Sequence, residues 1–220
     1  MNVLHVLVHP DPSSDSSTMK LANAFFGTLM EAGIDDVTNL SLYQDKPPFL
    51  TAEALRYFWK PVADPGYIPS KQEETSANYA HKHMGDIRDA DAIVITTPVW
   101  INSAPAILKA WMDQVFVPGN LFEIENGIVK PTHHIKSVVL LASSAEAYKE
   151  NDPRDALVPL VRGIFAYIGI DDVQVAWADG QDERRYGPDA VKQRLESALE
   201  YAGELAEDMA ATLMAPPAEA

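Results

Sequence analysis

The turn from Val99 to Ser103 carries the residues of this chain that are best placed to bind a ligand. It follows a buried apolar strand, Ala92 to Thr96, and it precedes a helix that opens at Pro105, where a proline loses no N–H that the helix needs. Trp100 and Asn102, with the backbone amides beside them, can cradle a flat aromatic ring that has polar edges. The alternative is an ordinary strand-to-helix loop with a buried tryptophan.

A second cluster of polar residues joins the first predicted strand to the first predicted helix. Four serines and a threonine follow His9, and we expect the helix to span Thr18–Ala32. Backbone N–H groups and hydroxyls at a helix N-terminus can hold a phosphate without a lysine or arginine. The loop has no glycine, so it is neither a Walker loop nor a dinucleotide fingerprint. The alternative is that these residues only cap the helix, and Asp15 repels a phosphate unless it points away.

The composition excludes several classes of function. The net charge is −15, with 17 Lys and Arg against 32 Asp and Glu, so the chain lacks the basic stripe that nucleic-acid and membrane-surface binding require. Zero cysteines exclude disulfides, thiolate catalysis and cysteine metal ligands. The apolar start, Val3 to Val8, is too short for a signal peptide and has no basic segment before it, so we expect a cytoplasmic protein.

The histidine pairs and the remaining motifs add no second chemistry. His81 and His83 fall on different faces of a helix, and His133 and His134 lie in a loop at the other end of the sheet, so we expect no metal site. The sequence contains no Gly-x-Ser-x-Gly and no His-Glu-x-x-His, and a hydrolase therefore has no support.

Strands and helices alternate along the chain, which predicts a doubly wound α/β sheet. The sequence Gly-Ile-Asp-Asp-Val occurs at 33–37 and again at 169–173, and each glycine is expected to end a helix in the left-handed conformation before a parallel strand. The other predicted strands, besides the one that begins near Val37, are Val3–His9, Ala92–Thr96, Ser137–Ala142 and Val173–Ala176. The later predicted helices are Asp155–Ile168 and Asp189–Ala211. This pattern predicts a flavodoxin-like, five-stranded parallel sheet in the order 2-1-3-4-5, which binds ligands between its first and third strands.

We expect a single domain, residues 1–214, followed by a disordered tail at 215–220. Two segments of this domain interrupt the alternation of strands and helices. Residues 43–75 hold five prolines and six aromatic side chains, namely Tyr43, Phe49, Tyr57, Phe58, Trp59 and Tyr67. Because so many aromatic rings seldom stay exposed to water, we expect this segment to cover the chain's own core, a ligand site or a second subunit. The other segment, Leu121 to Lys130, contains Asn126-Gly127 between apolar residues, which predicts a β-hairpin.

The segment from Pro98 to Phe116 resembles the flavin-contacting segment of the NAD(P)H:quinone oxidoreductases and of the FMN-dependent NADH-azoreductases. The spacing Pro-x6-Pro-x-x-Leu-Lys is matched without a gap, and the resemblance covers most of residues 1–210. It implies FMN as the cofactor, with FAD less favoured, and NADH or NADPH as co-substrate. It also implies a homodimer that reduces quinones, azo compounds or nitro aromatics in a two-electron ping-pong cycle. Residues 43–75 would then wall the site or meet the second subunit.

The resemblance also implies which residues form the site. The expected FMN contacts lie in three loops and are His9, Ser16, Ser17, Thr18, Pro98, Val99, Trp100, Ile101, Asn102, Ser143 and Ser144. Tyr148 matches a tyrosine of the quinone reductases and is the expected catalytic residue. The chain departs from the family where Ser144-Ala145 replaces a Gly-Gly pair, and no histidine follows Tyr148 nearby. Two alternatives stay open. The missing glycines and Asp15 favour a flavin-free binding or regulatory protein of the same fold, and an electron carrier of this fold is the other, which the aromatic segment 43–75 disfavours.

Overall fold

Fifteen helices and strands were assigned in a computed structural model that describes residues 1–216. In chain order they are β1 Val3–Leu7, α1 Ser17–Glu31, β2 Val37–Ser41, α2 Ala52–Ala63, α3 Lys71–Ser76, α4 Asn78–Arg88, β3 Ala92–Pro98, α5 Ala106–Val115, β4 Phe122–Glu125, β5 Ile128–Pro131, β6 Ser137–Ser143, α6 Val158–Tyr167, β7 Val173–Ala178, α7 Glu183–Tyr186 and α8 Pro188–Met214. The predicted tail begins directly after α8, and its last four positions, 217–220, lie outside the described residues. Within residues 1–216 no helix has the length and apolar character that crossing a membrane requires.

The main sheet has five parallel strands in the order β2-β1-β3-β6-β7. Counted in chain order within this sheet, the strands follow the predicted flavodoxin-like order 2-1-3-4-5, because β4 and β5 form a separate antiparallel pair. Every residue of β1 and β3 is buried, in agreement with their nearly continuous apolar sequences, which are typical of parallel strands covered on both faces. Helices α1 and α8 cover one face of the sheet, and α5 and α6 cover the other.

The strands end at slightly different residues than expected. The first strand stops at Leu7 rather than His9, while β3 continues to Pro98 and pairs there with Ser143 of β6. Helix α6 begins at Val158, three residues after the predicted start at Asp155. The cause is local, because the Asp155 carboxylate accepts hydrogen bonds from the N–H groups of Leu157 and Val158 at 2.9 and 3.1 Å and acts as a cap before the helix.

The predicted turns are confirmed where glycine or asparagine was expected to adopt positive φ. Gly33 and Gly169 have φ of 91° and 86° and lead from a helix into β2 and β7. The β4–β5 hairpin turns at Asn126 and Gly127, with φ of 54° and 79°. A Cβ on Gly169 would lie 2.9 Å from Cγ of Pro131, so this glycine is required by space as well as by conformation.

The aromatic segment 43–75 is partly packed against the chain itself. Phe58 is buried in a small cluster with Ala77, Ala80 and Val117, whereas Phe49 is 79% exposed. The segment is held by Glu73, which accepts from the N–H of Ser70 and from the Arg56 and Tyr67 side chains, and these hydrogen bonds lower its pKa to about 2. The interpretation that these rings cover only the chain's own core therefore holds for Phe58 and not for Phe49.

Candidate active site

Three loops meet at the carboxyl edge of the sheet, after β1, β3 and β6, and hydrogen bonds join them. Thr18 Oγ1, in the first turn of α1, lies 2.5 Å from Ser143 Oγ at the end of β6. The N–H of Val99, directly after β3, donates to the Ser143 carbonyl at 2.7 Å. The Ser17 hydroxyl donates to Oε1 of Gln181, in the loop after β7, at 2.8 Å. The loops that the sequence singled out thus form one continuous surface.

The β1 loop combines helix capping with free backbone donors. Ser16 is the N-cap of α1, accepts from the N–H of Met19 at 3.3 Å, and lies 3.3 Å from Nε2 of His9. The N–H groups of Ser17 and Thr18 have no acceptor among residues 1–216, as is usual in the first turn of a helix. Asp15 points away from them, is 91% exposed and pairs with Lys20 at 3.0 Å. The serines therefore do cap the helix, and the free amides remain available to an anion.

The β3 loop is a strained two-residue turn. Trp100 and Ser103 exchange N–H···O bonds of 2.9 and 3.1 Å, and between them Ile101 and Asn102 have φ of 48° and 64°. The left-handed conformation costs a non-glycine residue about 1 kcal/mol or more, and a β-branched isoleucine is an outlier there. Strain of this kind concentrates at ligand sites. The amides of Ile101 and Asn102 have no acceptor within the described chain, whereas those of Val99 and Trp100, which are also among the expected contacts, are already bonded.

Asn102 is fixed from two directions by the segment that follows β6. Its Oδ1 accepts from the Tyr148 hydroxyl at 2.7 Å, and its carbonyl accepts from the N–H of Ala156 at 2.9 Å. Trp100 is 46% exposed, and its ring meets Tyr43 edge-on with centroids 6.4 Å apart. The interpretation of Trp100 as an ordinary buried tryptophan is therefore wrong, and its indole forms part of the surface beside the turn.

In the loop after β6, Ser144-Ala145 stands where a glycine pair was expected, and the backbone conformation there does not require glycine. Across residues 144–148 no φ is positive in the structure, so Ala145 and Glu146 are accommodated without strain. The loop is held by the Ser144 hydroxyl, which donates to the Glu146 carbonyl at 2.8 Å, and by Tyr148, whose N–H donates to Asp179 at 2.7 Å. The N–H groups of Ala145 and Glu146 find no acceptor in residues 1–216. This loop therefore has two free backbone amides at the place where the resemblance led us to expect a glycine pair.

Tyr148 contacts two other side chains, those of Trp177 and Arg154. Of these three residues, the sequence singled out only Tyr148. Its ring stacks on Trp177 with centroids 4.7 Å apart and planes 32° from parallel, and the Arg154 guanidinium lies 5.3 Å from its centroid. Burial raises the pKa of Tyr148, so the phenol is protonated at neutral pH. Trp177 and Gln181 carried no sequence signal, because Trp177 directly follows the predicted strand Val173–Ala176 and Gln181 lies in a loop far along the chain.

The histidines of the two pairs in the sequence, His81 with His83 and His133 with His134, lie outside this site. His83 is buried, with its ring nitrogens 2.9 Å from Asp45 and 3.3 Å from Asp86, and His81 packs instead against Tyr57. His133 bonds the carbonyl of Ile168 at 2.9 Å, so it braces the end of α6 rather than lying free on the surface. Within residues 1–216 no group of three or more metal-ligating side chains occurs.

The donor set fits a molecule with a phosphate at one end and a polar-edged ring at the other. Three pairs of free amides line the site, at Ser17 and Thr18, at Ile101 and Asn102, and at Ala145 and Glu146. The first pair is at a helix N-terminus, which favours an anion. The other pairs lie at loop backbones, where neutral acceptors of a ring edge can approach. These features match the phosphate and the isoalloxazine ring of FMN.

Comparisons with known proteins agree with the fold and with FMN as the cofactor. A family model described as the Flavodoxin-like fold matches residues 1–205. A protein of Coprothermobacter proteolyticus named FMN-dependent NADH:quinone oxidoreductase is 29% identical over 208 residues, which cover 90% of this chain and 98% of the relative. A protein of Clostridium beijerinckii with the same name is 28% identical over 208 residues, covering 94% of this chain and 98% of the relative.

Solved structures share the fold. An azoreductase from Bacillus anthracis str. Sterne superposes with a TM-score of 0.81 at 23% identity, covering 94% of this chain and 99% of its own. The structure of an FMN-dependent NADH-azoreductase from Bacillus anthracis str. Ames Ancestor in complex with FMN superposes with a TM-score of 0.79 at 19% identity, covering 95% of this chain and 99% of its own. At these identities the superpositions establish the fold alone.

Proposed function

This chain belongs to the Flavodoxin-like fold family, and on that premise we propose that it is an FMN-dependent NAD(P)H oxidoreductase that reduces quinones, azo compounds or nitro aromatics. The observation that carries the proposal is the convergence of three pairs of free amides at the carboxyl edge of the sheet. The proposal is supported by the relatives, which are named FMN-dependent NADH:quinone oxidoreductase. The experiment that tests it is titration with FMN and riboflavin, followed by NADH oxidation in the presence of a quinone.

Each loop would hold one part of the cofactor. The amides of Ser17 and Thr18, with the Ser16 hydroxyl and His9 beside them, would receive the phosphate. The amides of the turn after Pro98 would bond one polar edge of the ring, and those after Ser143 and Ser144 would bond the other. The chemistry that FMN supplies when bound is transfer of two electrons, from the hydride of NADH or NADPH to the acceptor, in a ping-pong cycle.

Trp100 and Tyr148 would shape the place that the two substrates occupy in turn. The indole of Trp100, with Tyr43 beside it, provides an aromatic wall that excludes water from the ring. The Tyr148 hydroxyl is protonated at neutral pH and donates to Asn102, so rotation of the O–H would redirect that proton toward an acceptor oxygen. We assign Tyr148 the catalytic role on this geometry. We also propose a cytoplasmic location, where NADH and NADPH would be supplied.

The protein is proposed to act as a homodimer, because an apolar surface remains between α2, α5 and α6. A cavity of about 430 Å³ opens there between residues that include Trp59, Phe116 and Ile164. At its edge Leu55 and Tyr167 are 47% and 48% exposed, although both side chains are large and apolar. Exposed apolar surface of this kind is typical of subunit contacts.

Light scattering of the purified protein should report a dimer at micromolar concentration. Leu55→Glu places a charge in the apolar surface and should shift the population to monomers, because burying an unpaired carboxylate opposes association. Met30→Glu is the matched control, since Met30 is 61% exposed on α1, at another face of the sheet, and this substitution should leave the dimer intact. A parent protein that is monomeric, or a Leu55→Glu protein that dimerises like the parent, would contradict the assignment of this surface.

A further inference from the structure

Trp177, in the edge strand β7, touches two of the residues assigned to the site. Its Nε1–H donates to Oγ of Ser144 at 2.9 Å, and its ring stacks on Tyr148 with centroids 4.7 Å apart. The side chain is half-buried. Its contacts lie behind the loop that follows β6, on the side away from α1.

The contact with Ser144 determines the shape of the β6 loop. The Ser144 hydroxyl accepts from Trp177 and donates to the carbonyl of Glu146 at 2.8 Å, so both of its directions are set. The same carbonyl accepts from the N–H of Gly180 at 2.8 Å. The loop therefore closes around Ala145 and Glu146, and it is their amides that are left free. Without the indole N–H, the Ser144 hydroxyl would lose the donor that orients it.

The contact with Tyr148 extends this support to the β3 turn. Arg154 lies over the tyrosine ring, 5.3 Å from its centroid, and Asp152 anchors that guanidinium at 2.7 Å. The phenol, held by these contacts, reaches Asn102 at 2.7 Å and bonds the strained left-handed turn. Trp177 thus supports two of the three pairs of free amides through two different neighbours.

We propose that Trp177 is a positioning residue of the flavin site, which fixes the free amides of Ala145 and Glu146 through Ser144 and those of Ile101 and Asn102 through Tyr148. The inference rests on the proposed function. It explains how this chain keeps its ring-edge donors in place with Ser144-Ala145 where a glycine pair was expected. The phosphate site at Ser17 and Thr18 receives no contact from Trp177, so its contribution to binding is independent.

The test compares flavin affinities of three variants by fluorescence titration. Trp177→Phe keeps a ring against Tyr148 and loses the N–H, and it should weaken FMN and riboflavin equally, by roughly fivefold, as expected for one lost hydrogen bond. Trp177→Leu loses both contacts and should weaken both ligands further, with a raised KM for the quinone. The control is Trp111→Phe, because Trp111 is a fully buried indole without a hydrogen-bond partner in the described chain, and this change should lower thermal stability without changing either affinity.

Hydrogen exchange of the flavin-free protein gives a second measurement. Trp177→Phe should speed exchange at the bonded amides of Ala147 and Tyr148 and leave the protected amides of β1 and β3 unchanged. If the parent binds FMN and Trp177→Phe has the same affinity and the same exchange rates as the parent, the inference is overturned and the proposed function still stands. A parent that binds neither flavin would overturn both. Weakening of FMN but not of riboflavin would also contradict the inference, because it would place the effect at the phosphate.

Discussion

Replacing Ser17 with aspartate should weaken FMN binding by about a hundredfold or more and leave riboflavin binding unchanged. Ser17 is the first residue of α1, and its N–H and that of Thr18 are the free donors proposed for the phosphate. A carboxylate there would occupy these amides and repel the phosphate. Two charges 5 Å apart at an effective dielectric constant near 20 interact by roughly 3 kcal/mol, which is more than a hundredfold in affinity.

The same substitution should not harm the fold, which makes the result specific. A negative charge in the first turn complements the helix dipole and typically stabilises it by about 0.3–1 kcal/mol. Ser17→Asn is the matched control, because it is nearly the same size as aspartate, carries no charge and can still bond Gln181. Fluorescence titrations with both ligands and a thermal melt are needed. Equal losses for FMN and riboflavin, or no loss for either, would show that the phosphate does not lie at this helix.

His5 should make the protein markedly less stable as the pH falls from 6.5 toward 4. The ring is only 5% exposed in β1, between Asn39 at 2.9 Å and Thr96 at 3.0 Å, and burial lowers its pKa from 6.5 to about 4. In this interval the unfolded chain binds a proton at His5 and the folded chain does not, so the free energy of unfolding drops as the pH falls. The difference corresponds to roughly 3 kcal/mol at its limit.

Urea unfolding at pH 7 and pH 5 measures this effect. The parent loses stability at pH 5 through several groups, and His5→Gln isolates the histidine because glutamine keeps hydrogen-bonding capacity and does not titrate in this range. The variant should be less stable than the parent at pH 7, and its loss between the two pH values should be smaller. An identical pH dependence for the two proteins would mean that His5 accepts its proton within the folded chain.

The elements of the fold were predictable because they depend on local patterns. Nearly continuous apolar runs predicted buried parallel strands, and the repeated Gly-Ile-Asp-Asp-Val predicted turns that Gly33 and Gly169 adopt with positive φ. Asn126-Gly127 predicted the hairpin for the same reason. Element ends were less predictable. The start of α6 depends on local hydrogen bonds, and Asp155 proved to lie before the helix, where its carboxylate accepts from the N–H groups of Leu157 and Val158.

The site was predictable in its loops and not in its contacts. The positions Ser16 to Thr18 and Trp100 to Asn102 could be assigned from spacing and resemblance. The bond between Thr18 and Ser143 joins residues 125 positions apart, and the stack of Trp177 on Tyr148 depends on how β7 packs at the sheet edge. The left-handed Ile101 was not predictable either, because isoleucine disfavours that conformation and only the surrounding contacts impose it.

The buried polar and aromatic residues illustrate the same limit. His5 stands within an apolar strand, Val3–Leu7, and nothing in the letters shows that Asn39 and Thr96 lie beside its two ring nitrogens. The aromatic segment was recognised as unusual, yet the burial of Phe58 and the exposure of Phe49 follow from the docking of α2 on its neighbours. Periodicity reports which face of an element is buried, and it does not report which partner covers that face.

Parallel titration of the purified protein with FMN and riboflavin tests the central claim most directly. If the amides of Ser17 and Thr18 receive the phosphate, FMN should bind with micromolar affinity or better and riboflavin far more weakly. The FMN-loaded protein should then oxidise NADH or NADPH when a quinone is present. Equal binding of the two ligands would contradict the phosphate site, and binding of neither would contradict the oxidoreductase function and favour a flavin-free protein of the same fold.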